Sequence, residues 1–80
     1  MERQELRQKI LGALFAVAPD LEGEDIPDHV DLRQHLDIDS VDYLNFIIRL
    51  HQELKVEIPE VDYPKLNTLE RAVDYLHARL

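Results

Sequence analysis

Eighty residues with a net charge of −8 and no cysteine describe one small domain whose stability must come from helix packing alone, without disulfides or thiolate metal sites. Nine of the 17 acids (Asp20, Glu22, Glu24, Asp25, Asp28, Asp31, Asp37, Asp39 and Asp42) fall in residues 20 to 42 against the single base Arg33, so that stretch alone sums to −8 and the remainder balances. Such a field excludes nucleic acid as the expected partner and favours a basic protein surface. No apolar run approaches the ~20 residues needed to span a bilayer, and Met1-Glu2-Arg3-Gln4-Glu5 has no signal-peptide core. The expectation is a monomeric cytoplasmic protein that engages neither membrane nor nucleic acid, with residues 1–80 forming a single domain.

Leu6, Ile10, Ala13, Leu14 and Val17 recur at helical spacing, with Leu11 and Phe15 widening the stripe. They predict a first helix over about 3–18, stopped by Pro19. Residues 19–39 carry breakers and no period, and predict a long loop. Ile26, Val30, Leu32 and Leu36 are its apolar anchors, with room for a helical turn around 32–36. Loops of this length in small domains are usually functional or disordered.

A second helix is predicted over 40–55. Asp39 is its expected N-cap and Asp42 an acidic variant of the capping box. At about 100° per residue, Val41, Tyr43, Leu44, Phe46, Ile47, Ile48, Leu50 and Leu54 cover an arc of about 220°, twice the width of an ordinary buried stripe. This helix must therefore be central. His51 falls inside the arc and reads as a partly buried structural histidine. Pro59 can start a short third helix near 60–64, which Pro64 is expected to cut off. Asn67 and Glu70 form a capping box for a last helix over about 68–79, with Leu69, Ala72, Val73, Leu76 and Leu80 on the inner stripe. The fold class is all-α, a bundle of three main helices and one short one.

Catalytic and metal chemistry find little support. Ser40 lies in no G-x-S-x-G elbow and has no histidine placed as its base. Read as a calcium loop from Asp37, the chain puts Val41, Asp42 and Ile48 where a third oxygen ligand, a glycine and a glutamate belong. His29, His35, His51 and His77 lack zinc spacing. No catalytic residue and no metal site is expected. Ser40 itself is open to two readings. A serine at a helix start is commonly a cap; with Asp39 capping, its hydroxyl is instead free to be modified, and a phosphodiester there would meet unpaired N–H groups.

Asp39-Ser40-Val41-Asp42 resembles the D-S-L/V-D attachment motif of acyl carrier proteins. Glu57-Ile58-Pro59-Glu60 resembles that family's E-I-P-D/E segment, and Asn67-Thr68-Leu69 with Ala72-Val73-Asp74-Tyr75-Leu76 its last helix, so the resemblance runs over about residues 31 to 80. It implies a four-helix bundle that is not an enzyme. Ser40 would receive a 4′-phosphopantetheine arm from coenzyme A through a separate phosphopantetheinyl transferase. The arm's thiol would carry acyl groups as thioesters between acyl-loading and acyl-transferring enzymes with basic docking surfaces. Partner recognition is then expected at Asp37, Asp39, Val41, Asp42 and Asn45. Leu44, Ile47, Ile48, Val61 and Ala72 could line a cleft for the acyl chain, or serve as plain core.

The departures refine this expectation. Asp37 stands where the family often has glycine. Asn45, His51 and Gln52 replace glutamates that fatty-acid-synthesis members carry along the second helix, and Arg49 and Lys55 add positive charge. A glycine pair typical of peptidyl carriers is absent. The implied protein is a freestanding carrier for a specialised lipid or secondary-metabolite pathway. The alternative is an unmodified helical interaction module that uses its acidic loop.

Overall fold

The computed structural model describes residues 1–80, all of them helical or connecting. Helix α1 spans Arg3–Val17, α2 is a single turn at Leu32–His35, α3 spans Ser40–Leu54 and α4 spans Leu69–His77. A 3₁₀ turn at Pro19–Leu21 follows α1, and a 3₁₀ segment at Glu60–Leu66 precedes α4. Helix α1 packs against both α3 and α4, and α4 packs on the 3₁₀ segment. At 1.5 Å per residue, the 15 residues of α3 run about 22 Å, most of the molecule's longest dimension of 28 Å.

One cluster of 22 buried apolar residues forms the core. Leu6, Ile10, Ala13 and Leu14 come from α1, and Tyr43, Phe46, Ile47, Leu50 and Leu54 from α3. Leu69, Ala72, Val73, Tyr75 and Leu76 come from α4. The predicted arc of α3 therefore divides: its inner half is core, while Val41, Leu44 and Ile48 face solvent at 63%, 42% and 39% exposure. So α3 is not the central helix expected from the arc; α1, which packs on both α3 and α4, holds that place. Leu80, expected on the inner stripe of α4, lies beyond that helix and is exposed, because α4 ends at His77.

The long connection is more structured than a bare loop. Of the four expected anchors, Ile26 and Leu32 are buried in the core and Val30 and Leu36 only half-buried; Leu21 and Ile38, not expected, are buried with them and help to pin the connection across the bundle. Arg7 of α1 donates to the Asp28 carboxylate and the Ile26 carbonyl. The N–H groups of Leu32 and Glu70 donate to the carbonyls of Asn67 and Asp28, which fastens the connection to the start of α4.

Two terminal details differ from the sequence expectation. Thr68, not Asn67, caps α4, its hydroxyl accepting from the Arg71 N–H. The Asn67 side chain is drawn elsewhere, donating to Asp31 and accepting from Arg71. Pro64 does not cut the third helix, which continues through it to Leu66. Either winding loses the bond that the absent Pro64 N–H would make, but an α-helical one would also press the ring on the carbonyl four residues back, which the 3₁₀ winding avoids. Seven residues are long for 3₁₀ geometry, and outside contacts support them. Leu66 is fully buried, and the Tyr75 hydroxyl donates to the Asp62 carboxylate at 2.6 Å, with Lys65 on its other oxygen at 2.9 Å.

Candidate functional site

The chain into Ser40 is set by two caps in succession. Asp31 caps α2, its Oδ1 accepting from the N–H groups of Arg33 and Gln34. Its Oδ2 accepts from the Asn67 side chain. These hydrogen bonds, the Gln34 N–H and then the Asn67 amide foremost, hold the Asp31 carboxyl below its ordinary value. Helix α2 ends at once, because Asp37 turns left-handed at φ 57° and the Ile38 N–H returns to the Arg33 carbonyl at 3.0 Å, the six-to-one bond of a Schellman ending. An aspartate tolerates that geometry where most side chains do not. Ile38 then buries, and Asp39 starts α3 by accepting the Asp42 N–H at 2.8 Å.

Ser40 is thus the first residue of α3 and is exposed. Asp39 does the capping, and the serine hydroxyl enters no hydrogen bond. It opens onto a cleft of about 320 Å³ shared with Arg33, Tyr43, Leu44, Tyr63 and Asn67. Tyr43, three residues on and one helical turn below, closes the floor: its hydroxyl donates to the Tyr63 carbonyl at 2.6 Å. Burial first, then the Asp31 charge, pushes the Tyr43 phenol up to about 12. The His, Asp and Glu side chains nowhere gather in threes able to ligate a metal.

The residues expected to meet partners lie around this serine. Asp37, Asp39, Val41 and Asn45 are exposed and Asp42 is half-buried. Asp37 and Asp42 border one depression beside the Pro19 turn, and Asp42 and Asn45 border another with Ile48 and Arg49. The five residues expected at an acyl cleft are not gathered in one place. Leu44 lines the Ser40 cleft. Ile47 and Ile48 line a separate hollow of about 160 Å³ with His51, Ile58 and Tyr63. Val61 is 82% exposed and Ala72 is fully buried in the core. Tyr63 lines both hollows. His51 is exposed rather than partly buried, and its Nδ1–H donates to the Val56 carbonyl at 2.8 Å, pinning the chain beyond α3.

Sequence reasoning missed Tyr63 and the Asp31–Asn67 pair, and did not bring Arg33 to the serine. Only the Tyr43 contact carried a signal: a tyrosine on an inward helix face needs a partner for its hydroxyl.

Two kinds of comparison bear on this geometry. A family model described as "Phosphopantetheine attachment site" matches residues 9–76. The acyl carrier protein of Rubrobacter xylanophilus is 32% identical over 76 residues, covering 95% of this chain and 93% of that protein. The acyl carrier protein of Lactobacillus acidophilus is likewise 32% identical over 76 residues, covering 95% and 94%. An exposed serine freed from capping at the start of a long helix is the geometry such an attachment needs, and with matches along almost its whole length the chain belongs to the acyl carrier protein family.

Proposed function

We propose that this protein carries acyl groups as thioesters on a 4′-phosphopantetheine arm joined to Ser40, and that it catalyses no step itself. The observation that carries this reading is the released hydroxyl: Asp39 takes the capping bond, so the Ser40 oxygen is exposed and without a partner. A partner transferase would deprotonate that oxygen, which displaces 3′,5′-ADP from coenzyme A as the phosphodiester forms. When attached, the arm supplies the thiol that a chain without cysteine lacks.

Partner enzymes would read the surface around the serine. Asp37, Asp39 and Asp42 offer negative charge to a basic docking face. Val41, Leu44 and Ile48 add an exposed apolar strip on the same helix, of the kind that anchors interfaces. The exposed side of α3 carries an Arg49–Glu53 ion pair rather than a row of acids. That supports a dedicated set of partners and a specialised lipid or secondary-metabolite pathway. No helix is long and apolar enough to cross a membrane.

Incubation with coenzyme A and a broad-specificity phosphopantetheinyl transferase, followed by intact mass measurement, tests the reading. The wild type should gain the mass of one arm and Ser40→Ala none. An unchanged wild-type mass would instead favour an interaction module acting through the acidic residues 20–42.

A further inference from the structure

Arg33 is placed unlike every other arginine of the chain. Arg3 pairs with Asp74, Arg7 with Asp28 and Arg49 with Glu53. Arg71 donates to Asn67, and Arg79 to the Tyr75 carbonyl. The Arg33 guanidinium alone makes no hydrogen bond or salt bridge, although it is the one base among nine acids in residues 20–42 and helps to hold the Asp31 carboxyl low through its charge. Asp31, in the same wall, is already engaged on both oxygens. The guanidinium carbon instead lies 5.9 Å from the centroid of the Tyr43 ring, which restrains it by cation–π attraction. It also lines the cleft onto which Ser40 opens.

An arm joined through a phosphodiester brings a further negative charge into this already acidic segment. A free guanidinium beside the junction would offset that charge, and its planar fork matches two phosphate oxygens in a way an ammonium does not. We propose that Arg33 binds the phosphodiester of the arm on Ser40 and so directs the root of the arm along the cleft between α3 and the 3₁₀ segment, towards Leu44 and Tyr63. This rests on attachment at Ser40.

The test compares the unmodified and the enzymatically modified protein in phosphate-free buffer, with intact mass showing complete attachment. The Nε–Hε resonance of Arg33, followed by proton–nitrogen NMR, should move downfield on modification by several times the shift of Arg49. The amide shifts of Tyr63 and Asn67 between the two forms should be lost in Arg33→Gln and partly kept in Arg33→Lys. Arg33 is exposed and bonds to nothing through its guanidinium, so neither variant should unfold. A modified wild type in which Arg33 moves no more than Arg49 overturns this inference and leaves attachment standing. A wild type that gains no mass overturns both.

Discussion

Three residues at the ends of helices carry more of the site than their size implies. Asp39 caps α3, and its replacement by alanine should cost about 1 kcal/mol in chemical denaturation. Ser40→Ala should cost far less, because its hydroxyl bonds to nothing in the fold; an equal loss from both would contradict this division of roles. Asp37 and Lys55, at φ 57° and 56°, are the two non-glycine residues in left-handed geometry. Relief of that strain in Lys55→Gly should raise stability by about 0.5–1 kcal/mol, whereas Asp37→Val, β-branched and unable to adopt the turn, should lower it by more than that. The Asp39 cap was readable in the chain, because aspartate is a favoured residue just before an apolar helical run; the Asp31 cap and the left-handed Lys55 were not. Asn67 was not readable as a non-cap, because what diverts it is Asp31, 36 residues away, and no window of neighbouring residues contains that partner.

At the level of elements, α3 is well seated on α1 but meets the 3₁₀ segment sparsely, and the Tyr43–Tyr63 hydrogen bond is a principal tie across that seam. Tyr43→Phe leaves the Tyr63 carbonyl without its partner and should cost about 1–3 kcal/mol. The same tie sets an alkaline limit. Folding raises the phenol from 10.0 to about 12, so above pH 10 the unfolded chain gives up its proton first. The stability from this group is whole below pH 10 and declines as pH rises towards 12. A denaturation series across that range should show the slope, and Tyr43→Phe should reduce it. On the acid side, hydrogen bonds from Tyr75 and Lys65 lower Asp62, and those from Gln34 and Asn67 lower Asp31. Their contribution is present above pH 3.8, the ordinary value, and is lost as pH falls through the lowered ones. The seam also shows why the third helix was legible only as a start: Pro59 marks where it begins, but its continuation past Pro64 depends on Asp62, Tyr63 and Leu66 meeting α3 and α4.

The whole molecule is a thin core under a charged surface whose net charge is carried by residues 20–42. Eighty residues support roughly 4–12 kcal/mol of stability, while Leu→Ala at a fully buried site costs about 2–5 kcal/mol. Leu50→Ala or Leu6→Ala, both 0% exposed, should therefore leave the protein close to unfolding, visible as a large fall in melting temperature. Leu44→Ala, on the exposed strip, should leave it nearly unchanged and weaken docking instead. The all-α class and the exposed serine could be read from periodicity and caps, because each depends on neighbours in sequence; the central place expected for α3 could not, since α1 is the helix that packs on both α3 and α4. The side of α3 left bare, and the gathering of Arg33, Tyr63 and Asn67 around Ser40, could not, because they follow from how separate helices meet. The two left-handed residues that bracket α3 carry one further consequence. They fix where the helix begins and ends, so its length works as an angular setting between Ser40 and everything downstream. Deleting one residue within it would swing the outward strip by about 100° relative to the serine and strip the core of Leu50 and Leu54 together. Residues 22–25, exposed and between anchors, should by contrast accept extra residues freely. A laboratory library of single-residue insertions should therefore recover folded, loadable proteins from that loop and none from the interior of α3.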